Sequence, residues 1–156
     1  MKTLVLYYSR SGNTRAIAEA VAAALQADLE ELKGTGDYSG VLGFARAGRD
    51  VLAKRHGTLP PLQHKPAEYD LIVVGQPVWA ARPVPAVSAL LSTANLAGKK
   101  VALFVTFDGG GDAGCLAKTT AMLASSQVVS QSSYCKVGAN RAARIQQAQQ
   151  WAKTLQ

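Results

Sequence analysis

Hydrophobic residues in this chain fall into short strand-like runs, separated by longer stretches in which they recur every three or four positions. The runs cover residues 2–8, 29–33, 70–75, 100–106 and 128–137. The most apolar of them predict strands buried on both faces, the signature of a parallel sheet. Between the runs, Ala16, Ile17, Ala20, Val21, Ala24 and Leu25 predict a helix over 13–27. A weaker helix over 38–55 sets Val41, Phe44, Ala45 and Leu52 against Arg46, Arg49 and Lys54, with Gly43 and Gly48 lowering its propensity. A third opens at Pro83 and Pro85, because proline is tolerated in a first turn, and carries Val87, Leu90 and Leu91 inward. A fourth begins near Asp112 with Leu116, Thr120 and Leu123 as its buried stripe. A fifth follows Asn140 and buries Ile145, Ala148, Trp151 and Leu155. Strict alternation of strand and helix predicts an α/β fold, a doubly wound five-stranded parallel sheet with helices on both faces. With no internal repeat or linker, one domain over 1–156 is expected.

The turns after three of these strands carry the candidate chemistry. The first strand runs into Ser9-Arg10-Ser11-Gly12-Asn13-Thr14, which opens the first helix. Such a turn presents backbone N–H groups and the positive end of a helix dipole, and Ser9, Ser11, Asn13 and Thr14 add side-chain donors, a set suited to phosphate. The local alternative is that Ser11 or Asn13 caps the helix while Gly12 turns the chain. No Gly-Lys-Ser/Thr closes the loop and no G-x-G-x-x-G is present. The third strand ends in Gly75-Gln76-Pro77-Val78-Trp79-Ala80-Ala81-Arg82-Pro83, the fourth in Thr106-Phe107-Asp108-Gly109-Gly110-Gly111-Asp112. Ligands of doubly wound sheets bind beyond the carboxyl ends of the strands, where the strand order reverses. With order 2-1-3-4-5, strands one, three and four are neighbours and their three loops meet in one crevice. Trp79 there offers either an indole face for a flat aromatic ligand or a plug for the core beneath. The glycine run either lets backbone approach a planar ring or makes a plain turn. Convergence of all three loops favours a ligand.

Charge and composition narrow the partners. Of 156 residues, 17 are Lys or Arg and 10 are Asp or Glu, for a net charge of +7, and no acidic residue follows Asp112. Lys118, Lys136, Arg141, Arg144 and Lys153 are therefore uncompensated in that region, and Arg46, Arg49, Lys54 and Arg55 form a second basic cluster. These groups either steer an anionic partner or are solvated helix faces. Nothing supports nucleic acid, since the basic positions are not interleaved with aromatics and no nucleic-acid motif occurs. No apolar run approaches membrane-spanning length and Met1 leads straight into a strand without a signal-peptide pattern, so a cytoplasmic location is expected. Cys115 and Cys135 lack metal-ligand or C-x-x-C spacing, and His56 and His64 lack partners at metal-site spacing.

Tyr8 to Thr14 resembles the phosphate loop of the flavodoxins, Gly75 to Trp79 their second flavin loop and Thr106 to Gly111 their third, a resemblance that runs over essentially the whole chain in its short form. The resemblance implies a flavodoxin-like fold that binds FMN. Ser9, Arg10, Ser11, Gly12, Asn13 and Thr14 would hold the phosphate. Pro77, Val78, Trp79 and Ala80 would cover one side of the isoalloxazine, and Thr106, Phe107, Gly109 and Gly110 would meet its pyrimidine edge or other face. The implied function is electron transfer through a non-covalent FMN, to a redox partner protein or a small-molecule acceptor. Alternatives are an NAD(P)H-dependent quinone or flavin reductase, for which Ala80 and Ala81 leave room, and a non-flavin interaction or signalling domain. A receiver domain is disfavoured because strand one ends in Tyr8-Ser9 and not in an acidic pair.

Two departures stand out. Carriers of the family are typically acidic whereas this chain is basic, so the resemblance does not fix the partner, for which an acidic surface is one option. Phe107 stands where many relatives place a tyrosine further along, and the next tyrosine here is Tyr134. Asp108 and Asp112 near a flavin would disfavour its anionic reduced form, or Asp112 caps the helix. Cys115, in the first turn of that helix, is either a redox-sensitive thiol or a small packed residue.

Overall fold

The computed structural model describes residues 1–34, 42, 43, 45, 46, 49 and 59–156. Within them, β1 (Thr3–Tyr7), β2 (Asp28–Glu31), β3 (Leu71–Pro77), β4 (Lys100–Phe107) and β5 (Gln127–Cys135) form one sheet in the order β2-β1-β3-β4-β5. Every pairing is parallel, as connections through helices require. Besides helical positions between 42 and 49 and a 3-10 turn at Pro66–Glu68, the α-helices are α1 (Asn13–Leu25), α2 (Pro85–Thr93), α3 (Asp112–Ala121) and α4 (Arg141–Lys153).

β1 is buried at all five positions and β4 at all but its ends, so an unbroken apolar run reads as a two-faced central strand. On one face Ile17 and Val21 of α1 pack with Ala148 and Ala152 of α4 over Val5, Val73 and Phe104. On the other, Val87 and Leu90 of α2 and Cys115 and Leu116 of α3 cover Leu4, Leu6, Ile72 and Leu103. α1 is alanine-rich, which suits a helix that lies close to a sheet, and it ends where Gln26 turns left-handed (φ 51°) and donates its N–H to Ala22 and Ala23.

Several details differ from the periodic reading. The buried stripe of α3 is Cys115, Leu116 and Thr119, while Thr120 is only half-buried and Leu123 is buried from beyond the helix end. Leu91 is half-buried, as are Ile145, Trp151 and Leu155, which pack at the margin of the core. The helix expected over 38–55 lies outside the described residues except for five helical positions. Of these Arg46 and Arg49 are exposed, as the spacing predicts, and Ala45, expected on the buried side, is exposed as well.

Chain topology positions the site. β2 lies on one side of β1, and every later strand lies on the other, so the order reverses between β1 and β3. The carboxyl ends of these strands therefore flank a crevice.

Candidate functional site

At this crevice the first turn is built around Ser9. Its Oγ accepts the N–H of Gly12 at 3.1 Å and of Arg15 at 3.3 Å, so Ser9 satisfies one of the open donors of α1 from before the helix. Gly12 is the N-cap residue, at φ 93°, and neither Ser11 nor Asn13 caps the helix with its side chain. A φ of this sign suits glycine, since a Cβ costs roughly 1–2 kcal/mol there. Asn13 and Thr14 open α1, so their N–H groups have no carbonyl within the helix to reach.

Thr14 is buried, and its Oγ1 lies 2.7 Å from Oγ1 of Thr106 at the end of β4. One hydroxyl donates in that bond, and the other keeps its proton for whatever occupies the crevice. The same β4 end binds the second loop, with Val78 N–H donating to the Thr106 carbonyl at 2.9 Å. Two loops from different strands are thus locked to one threonine.

Gln76 fixes the rest of the second loop. It is 2% exposed, its Oε1 accepts the Val84 N–H at 2.9 Å, and its Nε2 donates to Thr119 Oγ1 at 2.9 Å. Thr119 in turn donates to the Cys115 carbonyl, and the Cys115 thiol donates to the Arg82 carbonyl. Lys118 Nζ donates to the Ala81 carbonyl at 3.0 Å. A Cβ on Gly111 would lie 3.1 Å from Ala81 Cβ, so the loop rests directly on the start of α3. Ala80 and Ala81 are held left-handed, at φ 50° and 52°, a strain that the ties from α3 sustain. Gln76→Leu removes the partner of the buried Val84 N–H. It is expected to lower the unfolding free energy by about 2 kcal/mol in urea titrations, against less than about 0.5 kcal/mol for Gln131→Leu on the exposed edge strand.

The crevice holds a cavity of about 280 Å³, lined by Arg10, Ser11, Asn13, Thr14, Pro77, Val78, Trp79, Thr106, Phe107, Asp108, Gly109 and Val137. Ten of the residues that the sequence nominates therefore meet in one place, whereas Ser9, Gly12, Ala80 and Gly110 do not line it. Ser9 turns its oxygen into the loop, Gly12 bends the chain, and Ala80 and Gly110 are exposed. Trp79 combines both readings. It is 7% exposed, belongs to the core, meets Tyr8 edge-on at 5.5 Å, and borders the cavity. Phe107 is half-buried at the cavity wall, while Tyr134 is packed in the core against Phe104 and is not in the lining.

Val137 is the lining residue that sequence reasoning missed. It follows β5, which the strand order puts beside β4, and its apolar side chain just past a strand end is the signal. Asp108 lines the cavity, but Asp112 is the first residue of α3, after the N-cap Gly111. Cys115 is fully buried, and burial pushes its thiol up to about 12, so it is a packed residue and not a reactive thiolate. Among the described residues no group of His, Cys, Asp and Glu could hold a metal ion, and no helix is long and apolar enough to cross a membrane.

Chemically, the two ends of the cavity differ. One end offers helix N–H groups with Ser11, Asn13 and Thr14, a donor set for a phosphate monoester. The other is walled by Pro77, Val78, Trp79 and Phe107 with backbone of Gly109 at its edge, a slot for a flat, polar-edged ring.

The sequence model of the family described as flavodoxin matches residues 2–151. A flavoprotein from Lactobacillus acidophilus, solved in complex with FMN, is 27% identical with TM-score 0.70, over 85% of this chain and 92% of that one. A candidate flavoprotein from Bacteroides uniformis superposes with TM-score 0.83 at 24% identity, over 97% of both chains. Oxidised flavodoxin 2 from Bacillus cereus matches at 22% identity with TM-score 0.61, over 97% of this chain and 95% of that one. The curated proteins contain no match.

Proposed function

We propose that this chain, which belongs to the flavodoxin family, binds FMN without a covalent bond in the crevice between β1, β3 and β4 and serves in electron transfer. The observation that carries the reading is convergence. Three loops on separate strands close around one cavity with phosphate donors at one end and an aromatic-walled slot at the other. The residues fit FMN: Ser11, Asn13 and Thr14 with the N-terminus of α1 would hold its phosphate, and Arg10 stands at the same end of the loop. Pro77, Val78 and Trp79 would lie along one side of the ring, and Thr106, Phe107 and Gly109 along its edge or other side. Bound there, FMN would supply one- and two-electron redox chemistry. The chain's own work is to orient the ring, exclude water from its buried side and set nearby charge. Asp108 is the carboxylate in the lining, and it disfavours added negative charge in the cavity.

A titration of the purified protein with FMN tests this. Perturbed flavin absorption bands and quenched flavin fluorescence are expected, with Kd at or below about 1 μM, or about −8 kcal/mol. Absence of any spectral change at micromolar FMN rejects the reading. An NAD(P)H-dependent quinone or flavin reductase is the second reading, supported by exposed Ala80, which leaves space beside Trp79. Steady-state NAD(P)H oxidation with a quinone acceptor separates the two, because turnover requires a second substrate site.

A further inference from the structure

The cations of this chain are placed differently at the two ends of the sheet. Where the strands begin, Lys99 and Lys2 are engaged, while Lys65 and Lys100 are exposed. Lys99 Nζ donates to the carbonyls of Ala67 and Tyr69 at 2.7 and 2.9 Å, and Lys2 Nζ lies 4.5 Å from the centre of the Tyr69 ring. Asp28, Glu68 and Asp70 stand at the same end.

At the cavity end Glu31 closes β2 in an ion pair with Arg15 at 2.7 Å, and past β3, β4 and β5 the cations outnumber the acids. Arg82 follows β3 and its N–H donates to the Trp79 carbonyl at 3.0 Å. Lys118 reaches the Ala81 carbonyl, Lys136 donates its N–H to the Phe107 carbonyl at 2.7 Å, and Arg141 opens α4. Lys118, Lys136 and Arg141 are exposed. Asp108 and Asp112 are the acids of the β4–α3 turn, and past Asp112 the chain holds no carboxylate side chain on α3, β5 or α4 to offset these charges.

We infer that this rim is a docking surface for a protein partner whose contact face is acidic. The spread of the charges selects a protein. A lone phosphate needs donors that converge on one point, whereas these cations stand on separate segments, after β3, on α3 and after β5, and Arg82, Lys118 and Lys136 are each bonded to a loop beside the cavity. Charges spread along one rim match a complementary patch on a macromolecule, steer its encounter and fix its orientation. The inference rests on charge placement and does not require that the cavity hold a flavin.

Cytochrome b5 serves as the acidic probe and cytochrome c as the basic one, with binding to the full chain followed by fluorescence polarisation. Cytochrome b5 is expected to bind at about 10 mM ionic strength and at least about tenfold more weakly at about 200 mM, while cytochrome c does not bind. K136E/R141E is expected to weaken cytochrome b5 at least tenfold. K65E/K100E makes the same charge change at the other end of the sheet, roughly 23 Å along β4 for Lys100, and is expected to change affinity less than about twofold. Should K136E/R141E fail to fold by circular dichroism, K136Q/R141Q is the replacement, with at least a threefold loss expected. Absence of cytochrome b5 binding, equal binding of cytochrome c, or equal losses in the two pairs of substitutions overturns the proposal. None of the four substituted residues lines the cavity, so FMN titration of the same samples is expected to be unchanged. A chain that takes no FMN yet still binds cytochrome b5 at this rim removes the flavin reading and leaves the docking surface standing.

Discussion

Riboflavin, which is FMN without its phosphate, is expected to bind at least about a hundredfold more weakly than FMN, a difference of about 2.7 kcal/mol. The reason lies in how the first turn distributes its donors. Ser9 consumes the N–H groups of Gly12 and Arg15, so it is structural. Asn13 and Thr14 keep theirs at the positive end of α1, and Ser11 with the Thr14–Thr106 pair adds hydroxyl protons beside them. A dianion gathers all of these as charge-assisted bonds, while the terminal hydroxyl of riboflavin engages few of them. Thr14→Val keeps the shape of a buried side chain but removes one of the two hydroxyls. It is expected to weaken FMN about tenfold and riboflavin less than about twofold, measured by fluorescence titration. Equal affinity for the two flavins, or an equal loss of both in Thr14→Val, would show that the turn only starts a helix.

What could be read before the structure follows from what each residue's chemistry makes unambiguous. β1 and β4 are legible because an unbroken apolar run has few other uses, and the strand order then brings three loops together. β5 reads less clearly because it is an edge strand with Ser130, Gln131, Ser132 and Ser133, alternately exposed and half-buried. Adjacent Thr119 and Thr120 cannot be ranked by hydropathy. Thr119 is the buried one because its hydroxyl serves Gln76 and the Cys115 carbonyl, a tertiary fact. Ser9 looks like its neighbours in sequence, and only the bend at Gly12 turns its oxygen inward. Gln76 did carry a signal, as a polar residue inside an otherwise apolar strand end, and such a residue must find buried partners. Trp79 resists a choice between plug and ligand wall because it is both, buried in the core and bordering the cavity.

Gly75→Ala is expected to be the most damaging added methyl among the described glycines, with an unfolding free energy lower by at least about 3 kcal/mol or no soluble protein. Gly75 pairs with Tyr7 on one side and Phe104 on the other, in the centre of the sheet. Its missing side chain is filled by the Phe104 ring. A Cβ built there falls 2.6 Å from Phe104 Cε2 and closer still to two other ring carbons. Phe104 cannot retreat, since it is fully buried and meets Tyr134 and Trp151 edge-on at 6.2 and 6.3 Å. The glycine is therefore needed for its absence of bulk and not for its backbone, as no positive φ is involved. The double variant Gly75→Ala/Phe104→Leu provides the decisive measurement, because leucine removes the ring carbons that clash. Recovery of at least about 1.5 kcal/mol relative to the additive sum of the single substitutions is expected in denaturant titrations. Strict additivity would mean that the ring is not what excludes the methyl. The consequence reaches the cavity, because Gly75 is followed by Gln76 and Pro77, and a sheet pushed apart at this point would carry Gln76 away from Val84 and loosen the wall that holds Trp79.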